Sequence, residues 1–205
     1  MRPPDVNAAL RRLEALALVE LLPELPLYPS PEYRVYAAAR SWFSEIGDAL
    51  DYTDFLTAVA IVYGWAAEPL AFRDLGDERN EALVDVLARV AGREPVERAD
   101  LRLVREAFGG DVAAASRLLH FLGPDDYAFW GPAEFAYLAG RPARPGDVEQ
   151  LEVYAFYCER LRELAASVQA VQVARRVREV SPEVGRMRAL QVVMGLAGER
   201  GLAVG

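Results

Sequence analysis

Few side chains in this sequence can carry covalent or proton-transfer chemistry. There is one histidine, His120, and one cysteine, Cys158, and every one of the 23 Lys+Arg positions is arginine. Without lysine there is no side-chain amine for a Schiff base, no anchor for pyridoxal phosphate, no P-loop lysine and no kinase-type lysine. One histidine and one cysteine exclude three-histidine zinc sites, cysteine-rich zinc clusters and an internal disulfide. A diiron carboxylate helix wants a glutamate three residues before its histidine, and that position is Arg117. Cys158, just after Tyr154 and Tyr157 on a helical stretch, reads as a packing residue. The adjacent pair Asp125 and Asp126 could act as acid and base, or with His120 hold one cation, although aspartates after Gly-Pro are ordinarily turn residues. They are the catalytic candidates by default; no metal and no cofactor are expected.

These residues must be positioned by helices. Apolar side chains recur at three- and four-residue spacing almost throughout, and no stretch alternates as a strand does, so the expected fold is all-α with about nine helices. The chain reads as a single all-α domain over residues 1–205, divisible into lobes 1–92 and 93–205, with proline-rich connectors at 23–31 and 140–146. Asp5 caps a first helix that stops at Pro23, and Pro31 opens a second. Asp51 or Thr53 starts an apolar third helix, the expected core element. A fourth runs from Asp77 to about Ala91 before Gly92, and a fifth from Val96 to Phe108. Gly109 and Gly110 break the chain, Asp111 caps a sixth helix carrying Arg117 and His120, and Gly123-Pro124 ends it. The loop Pro124–Pro132 then places Tyr127, Phe129 and Trp130 beside the two aspartates, and a short helix follows to Ala139. Asp147 is expected to cap one continuous helix to about Val180, roughly 50 Å long at 1.5 Å per residue. Its stripe of Leu151, Tyr154, Cys158, Leu161, Ala165 and Val168 is expected to pack, and its arginine-rich end to be solvated. Ser181-Pro182 is expected to open the last helix.

Charge is unevenly spread. Residues 1–159 hold 15 arginines against 27 acids, and residues 160–205 hold 8 against 4, within a net charge of −8. The total argues against a general nucleic-acid coat, whereas the basic C-terminal third suits a phosphate backbone or an acidic partner. Glu14 and Glu20 interrupt the leucines near the start, and the longest strongly apolar run, Phe55–Ala67, is too short to span a bilayer. A cytoplasmic protein without a membrane segment is therefore expected.

The stretch Phe108–Ala139, continued by VYAFYCERLRELA, resembles the catalytic half of helix-hairpin-helix DNA glycosylases, in particular bacterial 8-oxoguanine DNA glycosylase-like proteins. Ser116, Leu119, His120, Phe121, Pro124, Tyr127 and Trp130 carry the likeness, over residues 108–165. The family's nucleophilic lysine falls at Arg117, whose guanidinium stays protonated, and its catalytic aspartate falls at Gly131. The resemblance thus implies a glycosylase-like fold that binds DNA or RNA without lyase chemistry. On that reading Arg117 and His120 contact phosphate or base, Gly109 and Gly110 present backbone amides, and Tyr127, Phe129 and Trp130 offer stacking surfaces. The alternative is a non-enzymatic helical interaction subunit, joining a partner protein or a second copy through helix 147–180.

Overall fold

A computed structural model describes residues 31–47, 50–66, 72–179 and 182–199. The expected helix from Asp5 to Pro23, most of the connector 23–31 and Ser181 lie outside those residues. The fold is all-α. Among the described residues there are nine helices and no strand: α1 (Pro31–Ile46), α2 (Tyr52–Ala66), α3 (Asp77–Ala91), α4 (Arg98–Ala107), α5 (Val112–Leu122), α6 (Pro132–Ala139), α7 (Leu151–Ala165), α8 (Val168–Arg178) and α9 (Arg186–Glu199). No helix among them is long and apolar enough to cross a membrane.

Two helices organise the packing. α5 touches α1, α2, α3 and α4, and α9 touches α6, α7 and α8; the turn between α3 and α4 lies inside the first group. The reason for α5 is compositional, since VAAASRLLHFL offers apolar or small residues on nearly every side and nine of its eleven positions are buried. The neighbours are one-sided. α3 buries Leu83, Val86, Leu87 and Val90 at three- and four-residue spacing, and Gly92 ends it by donating its N–H to the Ala88 carbonyl (2.8 Å). α2 buries Phe55, Ala58, Val59, Val62 and Tyr63 but leaves Leu56 outside.

The continuous helix expected from Asp147 to Val180 does not form. It divides at Ala166 and Ser167, where the Ser167 side chain accepts from the Ala170 N–H (3.1 Å) and so starts α8 as a new helix. Asp147 caps nothing. It is buried, accepts from the Arg144 N–H (2.8 Å) and pairs with Arg141 (2.6 Å), which fixes the connector ahead of α7. The expected stripe is buried from Leu151 to Leu161, but Val168 lies beyond the break and is exposed. The segment after the break is not wholly solvated either, because α8 buries Ala170, Val173, Ala174 and Val177 and packs on α9. α4 is shorter than the expected 96–108, beginning at Arg98 with a capping box between Glu97 and Asp100. α9 begins at Arg186 rather than at Pro182, with Val184 buried in the approach to it.

Candidate functional site

Gly109 and Gly110 have φ of +66° and +94°, the left-handed region that glycine reaches without strain. Their amides close α4: Gly109 N–H donates to the Glu106 carbonyl (2.9 Å) and Gly110 N–H to the Arg105 carbonyl (3.0 Å). The turn therefore has a structural use, and neither amide is left for a phosphate. Asp111 fills the start of α5 as expected, its Oδ1 accepting from the Ala114 N–H (3.0 Å). The glycine turn and His120 stand near opposite ends of α5, about 15 Å apart at 1.5 Å per residue.

The aromatic loop is inside the protein. Tyr127, Phe129 and Trp130 are 9%, 7% and 2% exposed, and His120 is fully buried. None of these rings presents a face on which a base could stack. Backbone buried without helix or strand must find partners elsewhere, and here side chains supply them. His120 Nδ1 lies 2.7 Å from the Tyr127 carbonyl, which can only accept, so Nδ1 carries the proton. Nε2 is then the acceptor for the Tyr36 hydroxyl at 2.9 Å. The Tyr154 hydroxyl donates to the Ala128 carbonyl (3.3 Å), Gln191 Nε2 to the Phe129 carbonyl (2.6 Å), and Arg162 to the Asp126 carbonyl (3.0 Å). Ser116 Oγ accepts from the Trp130 N–H (2.9 Å), and Trp130 Nε1 donates to the Val148 carbonyl (2.8 Å). Side chains from α5, α7 and α9 thus hold residues 126–130 in place.

This arrangement assigns His120 to the core. Burial, reinforced by the positive charge of Arg188 and Arg40, pushes its imidazole well below the ordinary histidine range, while the bond to Tyr127 acts the other way. Phe129 lies 4.2 Å from it, ring to ring, and the Arg188 guanidinium lies over the Phe129 ring, 4.4 Å from its centroid. Asp125 and Asp126 are each held by an arginine, Asp125 by Arg93 (3.0 Å) and Asp126 by Arg162 (2.9 Å), in the manner of loop anchors. Burial raises the Cys158 thiol to about 11, so it is not a thiolate near neutral pH. Among the described residues no group of three or more His, Cys, Asp or Glu could hold a metal ion.

Glu134 is the polar group that sequence reasoning missed. It stands in the first turn of α6 and is half-buried. Its Oε1 is 3.5 Å from Gln191 Nε2, and its Oε2 would lie 3.2 Å from a Cβ on Gly131. Burial raises its carboxyl above the usual range, opposed by its own backbone N–H, Arg188, Gln191 and Arg117. Arg117 and Gly131, the two positions at which the chain departs from the resembled pattern, therefore both lie in the neighbourhood of one carboxyl. The Tyr157 hydroxyl and Gln191 Oε1 are buried without hydrogen-bond partners among the described residues. The only advance signal was a glutamate three residues after Gly131, at the start of a helix where acidic residues are common. Comparison with family models, curated proteins and solved structures finds no match to this chain.

Proposed function

We propose that this chain is a helical interaction subunit that acts by contact through the outer face of α8. What carries the reading is where the side chains go. The aromatic and polar residues of the central loop are consumed in holding that loop, whereas Val168 is 72% and Val171 45% exposed. With Gln172, Arg175 and Arg178 they form one exposed stripe at helical spacing, opposite the face that buries Ala170, Val173, Ala174 and Val177. Apolar side chains grouped with cations on an exposed helix face suit a contact surface. A photo-reactive residue at Gln172 should give a defined protein adduct in the cells that express the chain, while one at Glu45 on α1 should not. Equal, diffuse labelling at both positions would count against the reading.

Nucleic-acid binding without lyase chemistry is the second reading, and Arg188 favours it. Its guanidinium lies over Phe129, is partly exposed, and has no carboxylate within ion-pair distance among the described residues, although the Glu134 carboxyl feels its charge. On this reading phosphate is met by Arg188 and Arg117, and the buried loop only supports them. Affinity for single- and double-stranded DNA and RNA would fall steeply with salt, and Arg188→Ala would reduce the log-log slope by about one. A wild-type protein with no salt-sensitive binding removes this reading.

A further inference from the structure

The large apolar residues exposed on the described surface are Val35, Tyr52, Leu56, Phe156, Val168 and Val171, and four of the six fall in two places. Val168 and Val171 begin the α8 stripe. It continues into Arg175 and Arg178, neither of which has a carboxylate within ion-pair distance among the described residues. Tyr52 and Leu56 lie one turn apart at the start of α2, and Tyr52 lines a groove of about 410 Å³ between α2 and α3. Val84 contributes apolar surface to that groove, and Asp51, Asp77, Glu81 and Asp85 supply four carboxylates around it. All four are exposed and none makes an ion pair among the described residues.

The two surfaces match in sign and in kind. One is a convex helix face with valines leading into Arg175 and Arg178, which have no carboxylate partner among the described residues, although Arg178 Nε donates to the Val184 carbonyl (2.9 Å). The other is a concave groove with an apolar floor and acids that make no ion pair among those residues. They match in length as well: Val168–Arg178 spans about 15 Å along α8 and Asp77–Asp85 about 12 Å along α3, at 1.5 Å per residue. The uneven charge of the chain follows the same division, with the groove in the acidic part and α8 in the basic part.

We propose that α8 of one copy of this chain docks into the α2–α3 groove of a second copy. The inference rests on the interaction reading of α8 and names its partner. Because the two faces differ, each copy carries one of each, and association continues head to tail, into a ring where the rotation closes and into an open filament where it does not. Complementary charge at the rim makes the contact weaken as salt shortens the screening length to about 8–10 Å near physiological strength.

The test uses the full chain and two charge reversals at exposed positions, Arg175→Glu on α8 and Glu81→Arg on α3, with circular dichroism to verify folding. Sedimentation equilibrium of wild type should show a mass that rises with protein concentration and falls with added salt. Each reversal should lower the association constant by at least about tenfold. An equimolar mixture should recover association, since Glu81→Arg keeps an intact α8 and Arg175→Glu keeps an intact groove, and the two reversed faces are again opposite in charge. A wild type that stays monomeric at low salt overturns the inference, and labelling at Gln172 then decides the α8 reading separately. Normal assembly by Glu81→Arg with loss in Arg175→Glu overturns the groove and leaves α8 as a contact face. Normal assembly by Arg175→Glu overturns both.

Discussion

Trp130 separates a core role from a surface role most sharply. The ring is 2% exposed, stands 5.2 Å from Tyr157, 6.2 Å from Phe135 and 6.3 Å from Tyr154 between ring centroids, and donates its Nε1–H to the Val148 carbonyl. Trp130→Ala removes a large packed side chain, for which about 3–5 kcal/mol is typical, out of a stability of about 5–15 kcal/mol for a domain. Trp130→Phe keeps much of the ring but removes the donor, so it tests the hydrogen bond to a part-buried carbonyl, a net contribution of about 0.5–1.5 kcal/mol. Urea unfolding followed by far-UV circular dichroism measures both, with the midpoint shifting and the slope unchanged. A surface stacking residue behaves in the opposite way. Its truncation would leave the midpoint alone and remove about 1–3 kcal/mol of affinity for single strands. A cost below about 1 kcal/mol for Trp130→Ala would refute the assignment of this loop to the core.

His120 and Glu134 set opposite pH dependences. The imidazole pKa is depressed by burial in the folded state, so the unfolded chain takes up a proton first as pH falls below about 6.5 and stability declines there; His120→Asn should flatten that limb in urea midpoints measured from pH 7 to 5. The Glu134 carboxyl is raised by burial, so its contribution is present below the unfolded value of about 4.3 and is lost as pH rises through its folded pKa. Glu134→Gln should therefore unfold at higher urea than wild type at pH 7–8, and a lower midpoint would mean that the ionised carboxylate is favourably held. Ser167→Ala should cost about 1 kcal/mol by removing the cap of α8, read as a melting-temperature decrease with no change in the fold; an unaltered melting temperature would show that α8 starts without it.

Periodicity, caps and breakers were enough for the all-α class and for several boundaries. Asp111 opens α5 with its side chain on the Ala114 N–H, and Gly92 closes α3, because these are contacts over three or four residues that the local sequence encodes completely. The division between α7 and α8 was half legible. Ser167 is a good cap, but nothing in the spacing of Leu161, Ala165 and Val168 says that the chain turns there; packing of α8 on α9 decides it.

For the candidate site the limits of local reading were wider. His120, Tyr127, Phe129 and Trp130 do belong to one segment of structure, yet the sequence could not tell a base-stacking loop from a buried one, since both call for aromatics beside polar residues. The deciding partners are distant: Tyr36 lies 84 positions from His120, and Gln191 lies 62 from Phe129. Composition by itself determined which reactions lack a nucleophile, because the absence of lysine does not depend on folding. Burial and hydrogen bonding were left to the tertiary structure. A carbonyl at residue 129 can enter the interior only where an amide from α9 meets it, and that meeting is a property of helices packed in space, with no trace in the order of residues along either one.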